Sequence, residues 1–164
     1  MPAQLLLIRH GEKPDEGDEL SPRGWQRAEA LPKLFHRAPF DGFGKPVALY
    51  GASPAKADGS IRSIQTLKYV AQEFNLHIHD EFHRGDDGDL VKAIRENHNY
   101  DGKFVVICWE HKDLSKIARE LGVSPEPKYP DDKFDRAWLV TMDGDHVSKF
   151  EDLPENLLPG DDAH

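Results

Sequence analysis

Two histidines stand just beyond strongly apolar runs of this sequence. Leu5-Leu6-Leu7-Ile8 gives way to Arg9-His10-Gly11, and Phe104-Val105-Val106-Ile107-Cys108-Trp109 gives way to Glu110-His111. A neutral imidazole can attack phosphorus directly, and the phosphohistidine it forms is labile enough for water to finish a hydrolysis. His10 is the candidate nucleophile. Phosphoryl transfer is mostly positioning and charge stabilisation, which suits guanidinium groups that grip the nonbridging oxygens bidentately. Arg9 and Arg62 are the candidates for that grip. A second, protonated histidine can donate to the same oxygens, the role expected of His111. Each residue alone has a plainer reading, as a loop residue, a helix-surface cation or a capping histidine. Their recurrence at comparable strand ends is what joins them.

The elements that must position these residues follow from apolar patterning. Leu5–Ile8 is a continuous apolar run with the signature of a central strand buried on both faces. Ser21-Pro22 is an N-cap followed by proline at the first helical position, and Trp25, Ala28, Leu31 and Leu34-Phe35 recur at helical spacing. Val47–Tyr50 predicts a second strand, and Ile61 to Phe74 an amphipathic helix stopped at Asn75. A short strand within Leu76–Phe82, a turn at Gly85–Asp89 and a helix marked by Leu90, Ala93 and Ile94 come next. Phe104–Trp109 is the most strand-like segment, and Leu114, Ile117-Ala118 and Leu121 form a helix closed by Gly122. Ala137–Met142 and His146–Phe150 flank Asp143-Gly144-Asp145, a β-hairpin pattern. Strands alternating with helices predict a layered α/β sheet with its ligand site at the carboxyl ends of the strands.

Composition bounds the function. The chain has 164 residues with a net charge of −9, so its mean field repels phosphate backbones and no nucleic-acid partner is expected. The single cysteine, Cys108, cannot form an intramolecular bridge and sits inside an apolar strand, where it reads as a small buried hydrophobe. The apolar run near the N-terminus is far shorter than the roughly 20 residues of a spanning helix and has no basic leader, so no membrane partner is expected and the expected location is cytoplasmic. The last fourteen residues hold five acids and no Lys or Arg, the composition of a solvated tail. The organisation expected is one domain over residues 1–153 and an acidic tail over 154–164.

Taken together, Arg9-His10-Gly11-Glu12, Leu20-Ser21-Pro22-Arg23-Gly24, Ser53-Pro54, Arg62-Ser63-Ile64-Gln65-Thr66 and a strand ending in His111 resemble the histidine phosphatase (phosphoglycerate mutase-like) superfamily. The resemblance spans residues 5 to 121. It implies a three-layer α/β/α sandwich with a mostly parallel central sheet, a phosphohistidine at His10, and a phosphate pocket of Arg9, Arg62 and His111. It also implies no metal and no cofactor. The substrate expected is a phosphorylated small molecule or a phosphoprotein.

The sequence departs from the family pattern in three places. Ala55 to Ile61 lengthen the loop before Arg62, and the second histidine lies in Trp109-Glu110-His111-Lys112 rather than between Ser and Gly. No carboxylic acid for the leaving group matches cleanly: Glu81, Asp86, Asp87 and Glu110 are the candidates. General acid catalysis contributes about 10²–10⁴-fold, most for a poor alkoxide leaving group, so its lack favours good leaving groups. Family members without that acid resemble the small phosphatases that act on protein phosphohistidine.

Two other classes compete. His77 and His79 alternate along an expected strand with His83 nearby, a pattern a metal-dependent hydrolase would use, although a solvated strand is the simpler reading. A non-catalytic phosphate-recognising module would need the arginines but not His10. Trp25, Trp109 and Trp138 read as packing residues, because no basic patch surrounds them. The five acids in residues 12–19 read as a solvated loop, with Lys13 offsetting their charge at the mouth of the pocket.

Overall fold

The structure is a computed structural model that describes residues 1–55 and 59–164. Its frame is a six-stranded sheet built from β1 (Gln4–Arg9), β2 (Ala48–Gly51), β3 (Ile78–His79), β4 (Phe104–Trp109), β5 (Arg136–Asp143) and β6 (His146–Pro154), in the order β3-β2-β4-β1-β5-β6. The β3–β2, β2–β4 and β4–β1 pairings are parallel, and β5 and β6 add antiparallel strands on the far side of β1. The expected mostly parallel sheet is therefore present, with the predicted hairpin as its antiparallel edge.

The apolar runs explain the layering. A strand buried on both faces sends alternate side chains to opposite layers. Leu5 and Leu7 join Val105, Ile107 and Trp109 against α4 (Asp87–Glu96) and α5 (His111–Leu121). Leu6 and Ile8 join Val106 and Cys108 against Leu31, Leu34 and Phe35 of the 3-10 helix Leu31–His36 and Val70 of α3 (Lys68–Phe74), in the opposite layer that also holds α1 (Pro22–Ala30) and α2 (Arg62–Thr66). All four residues from Leu5 to Ile8 are fully buried. Truncating any one of them to alanine would cost about 2–5 kcal/mol. Among the described residues no helix is long and apolar enough to cross a membrane.

Local signals act as expected in several places. Ser21 Oγ accepts from the Gly24 N–H at 3.1 Å, with Pro22 opening α1. Asn75 ends α3 and Gly122 ends α5, each in the left-handed region. Buried Cys108 has its thiol pKa pushed far up by desolvation, as an inert core residue should. Trp109 and Trp138 are buried, and Trp25 is half-buried.

Two expectations are corrected. The helix predicted from Ile61 to Phe74 is two helices that meet at Leu67, because Thr66 turns its hydroxyl back onto the Arg62 carbonyl at 2.7 Å and the chain bends there. The acidic C-terminal segment is not a solvated tail. Glu155 is 1% exposed and accepts from Arg27 Nη1 at 3.0 Å, and Asp161 accepts from both Arg27 terminal nitrogens at 2.8 and 2.9 Å. A buried guanidinium on α1 needs carboxylate partners, and the segment that composition marks as soluble provides them. The loop expected over Ala55 to Ile61 includes residues 56–58, which lie outside the described residues.

Candidate active site

Because β2, β4 and β1 are adjacent and parallel, their carboxyl ends open on one side of the sheet. Arg9 pairs with Trp109 across β1 and β4, and the His10 N–H continues the ladder to the Trp109 carbonyl at 3.2 Å. His10 and His111 thus leave neighbouring strands, while Ser53 follows β2 and Arg62 opens α2. The four residues expected to act together do meet: Arg9, His10, Arg62 and His111 all line one cavity of about 320 Å³.

His10 is nearly buried, and its ring is fixed in one tautomer. Nδ1 lies 2.7 Å from the carbonyl oxygen of Gly11, which can only accept, so Nδ1 carries the proton. Burial lowers the His10 pKa to about 4; the Gly11 bond opposes this, and the charges of Arg9, Arg62 and His111 reinforce it. At neutral pH the ring is uncharged and Nε2 holds a free lone pair.

The loop that carries His10 is held from two sides. Thr66 Oγ1 accepts from the Gly11 N–H at 2.8 Å, and Ser21 donates to the Glu12 carbonyl at 3.1 Å. Glu12 then forms a paired contact with Arg27, Oε1 to Nε and Oε2 to Nη2, both at 2.8 Å. Gly11 and Gly24 are required by close approach. A Cβ on Gly24 would sit 2.4 Å from the Glu12 carbonyl oxygen, and one on Gly11 would sit 2.9 Å from the Gly24 carbonyl oxygen.

The cations differ in how firmly they are held. Arg9 is 2% exposed; its Nη1 donates to the carbonyls of Asp131 and Lys133 at 2.8 and 2.6 Å, and its guanidinium lies 3.8 Å over the Phe134 ring. Arg62 donates to the carbonyls of Glu19 (2.9 Å) and Gly17, and Gln65 Oε1 accepts from the Leu20 N–H at 2.9 Å. The acidic loop expected only to be solvated therefore supplies backbone carbonyls that aim Arg62. His111 Nε2 donates to Asp131 Oδ1 at 2.9 Å, and its Nδ1 lies 3.1 Å from Glu110 Oε1. Burial lowers its pKa, Arg9 lowers it further, and the carboxylates of Glu110 and Asp131 pull against them.

Of the four acid candidates only Glu110 lines the cavity. It is also the N-cap of α5, with Oε2 accepting from the N–H groups of Lys112 and Asp113 at 3.1 and 3.2 Å. Asp86 is occupied by the His83 N–H at 2.8 Å, Asp87 is buried in the first turn of α4 with its pKa raised to about 6 by desolvation and by Asp113, and Glu81 is exposed on the sheet edge. The three-histidine grouping does not form either: His83 Nδ1 lies 2.7 Å from Ser53 Oγ, away from His77 and His79.

Sequence reasoning missed Arg84, Asp131 and Phe134. Arg84 lines the cavity and is 59% exposed, with a single loose ion pair to Glu110 at 3.5 Å among the described residues. Its neighbours Gly85 and Asp86 carry a turn signal, but nothing in that signal points inward. Asp131 and Phe134 reach the site because the connection from α5 to β5 folds back over Arg9.

No protein-family model matches the chain, and no curated protein sequence does. Solved structures do. The protein histidine phosphatase SixA complexed with tungstate is 16% identical with a TM-score of 0.66, over 93% of this chain and 97% of that one. A mycobacterial glucosyl-3-phosphoglycerate phosphatase complexed with VO3 is 12% identical with a TM-score of 0.57, over 95% and 100%. A protein from Escherichia coli, provisionally assigned as an alpha-ribazole-5'-P phosphatase, is 16% identical with a TM-score of 0.63, over 93% and 96%. These likenesses establish the fold.

Proposed function

We propose, from the premise that this chain has the histidine phosphatase fold, that it hydrolyses a phosphomonoester or a phosphoprotein through a phosphohistidine on His10. The observation that carries the proposal is the buried, neutral His10, whose Nδ1–H is fixed on Gly11 and whose Nε2 is therefore the nucleophilic nitrogen. The neighbours' description as phosphatases, two of them with phosphate-like oxyanions bound, supports the same reading.

In the first step Nε2 attacks phosphorus, the bond from phosphorus to the leaving group breaks, and the leaving group departs with its electron pair. Arg9 and Arg62 hold the nonbridging oxygens as charge shifts across them, and protonated His111 donates to the same oxygens once its Nε2–H exchanges the exposed Asp131 carboxylate for the phosphoryl group. In the second step water attacks the phosphohistidine, inorganic phosphate leaves and His10 returns to its neutral tautomer. Among the described residues the charge carriers lining the cavity are guanidinium and imidazole groups, the Lys13 ammonium and one carboxylate, Glu110, and with that donor set the reaction is proposed to run without a metal. Glu110 is committed to capping α5, so among the described residues the leaving group has no dedicated acid. Substrates with good leaving groups, aryl phosphates and phosphoramidates such as phosphohistidine, are therefore favoured.

The test is hydrolysis of an activated aryl phosphate in excess EDTA. Wild type is expected to turn over and His10→Ala to fall at least about 10³-fold, to background. Turnover that depends on added metal, or that survives in His10→Ala, would overturn the reading.

A further inference from the structure

The short edge strand β3 carries chemistry that the phosphatase reading does not use. His79 closes the two-residue strand, and His77 and Glu81 flank it at alternate positions of the chain. One ligating atom from each lies within 4.8 Å of the other two. None of the three lines the cavity around His10. We propose that His77, His79 and Glu81 form a binding site for a divalent transition-metal ion of the zinc type, separate from the catalytic cavity and independent of the phosphatase reading.

The case rests on placement and spacing. His79 faces Tyr50 across the β2–β3 ladder and stacks on its ring at 4.7 Å and 19°. Tyr50 is itself held by the Tyr100 hydroxyl at 2.9 Å in the core, so the His79 ring is oriented before any ion arrives. His79 Nδ1 lies 3.4 Å from Glu81 Oε1. A tetrahedral ion with bonds of about 2.0–2.1 Å needs ligand atoms about 3.3 Å apart, so these two already stand at the edge of such a polyhedron. The His77 and His79 ring centroids are 5.2 Å apart, close enough for a rotation of exposed His77 to bring in a third ligand. Water can complete the fourth position, because the strand edge is open to solvent.

The donor set also selects the ion. Two neutral imidazoles and one carboxylate suit zinc, nickel or copper, whereas magnesium and calcium prefer oxygen alone. The chain's net charge of −9 raises the local concentration of cations. His83, the third histidine of the segment, is excluded by its contact with Ser53 at 2.7 Å.

Calorimetric titration of the untagged full chain with zinc chloride tests the site, with thermal unfolding as a second readout. Wild type is expected to bind about one equivalent and to gain thermal stability from it. His77→Ala and His79→Ala should each weaken binding at least about tenfold, and His83→Ala should leave it unchanged. His77 is exposed, so its variant retains the fold and serves as the decisive comparison. Absence of saturable zinc binding by wild type, or binding that persists unchanged in His77→Ala and His79→Ala, would overturn the proposal. Neither result bears on hydrolysis in EDTA, so the two readings fail separately.

Discussion

The Nδ1 of His10 donates to the carbonyl of its own neighbour, Gly11, across 2.7 Å, and this one bond decides which ring nitrogen can act. Gly11 is in turn fixed through its N–H to Thr66 Oγ1 at 2.8 Å. The His10 ring is thus oriented by backbone and a hydroxyl rather than by a carboxylate, which leaves it neutral and its basicity low.

That low basicity sets the acid side of the pH profile. Burial lowers His10 to about 4, so kcat/KM should fall about tenfold per pH unit below pH 4. His111 is lowered below its ordinary 6.5, and a donor role requires its proton, so kcat/KM should also decline as pH rises toward 6.5. The profile in the free enzyme is expected to be a bell with a mildly acidic maximum. His111→Gln should lose the alkaline limb and keep the acid one. The unfolded chain binds a proton at His10 that the fold rejects, so stability falls between pH 6.5 and 4, by up to about 3 kcal/mol. Urea melts of wild type and His10→Ala across that window measure the difference.

Arg27 ties the C-terminal segment to the loop after His10 through Glu155, Asp161 and Glu12. Removing the guanidinium leaves buried carboxylates uncompensated, so Arg27→Met should cost about 3–5 kcal/mol and reduce turnover by loosening the loop after His10. Glu155→Gln should behave in the opposite way. Burial outweighs the pull of Arg27 and raises the Glu155 pKa to about 8. Its contribution is therefore fully present below the ordinary carboxylate pKa of 4.5 and is lost as pH rises toward 8. The glutamine variant is expected to gain on wild type over that range, by about 1–3 kcal/mol at pH 8. Denaturant melts at pH 5 and pH 8 decide it.

Arg84 is the least restrained arginine of the cavity among the described residues, and its exposed guanidinium can meet an anionic group away from the reacting phosphoryl. Arg84→Ala should raise KM about tenfold for substrates with a second negative group, leave kcat largely unchanged, and have little effect on a simple aryl phosphate. Steady-state kinetics with the two substrate types separates this from a general loss of activity.

How far the sequence could be read depends on the range of the forces involved. Strands at Leu5–Ile8 and Phe104–Trp109, the Ser21 cap and the Asn75 and Gly122 stops were legible, because each is set by local patterning or by a single residue's backbone preference. Convergence of Arg9, His10, Arg62 and His111 was legible because parallel strands deliver their carboxyl ends to one side. The break at Leu67 was not, since it depends on a Thr66 hydroxyl recruited by Gly11 from a distant strand. The docking of Glu155 and Asp161 was hidden for a similar reason: composition marks acids as soluble, and only tertiary structure reveals a buried arginine waiting for them. Asp131 and Phe134 reach the site through an irregular connection that carries no periodic signal.

If Nε2 of His10 carries the phosphoryl group, the phosphoenzyme can be trapped. Wild type mixed with an activated aryl phosphate in EDTA, quenched in base within its first turnovers and analysed by peptide mapping and phosphorus NMR, should show one phosphohistidine, at His10, substituted on Nε2. A phosphoryl group on Nδ1 of His10 or on any other residue, or hydrolysis that proceeds with no phosphoenzyme formed, would rule out Nε2 of His10 as the nucleophile.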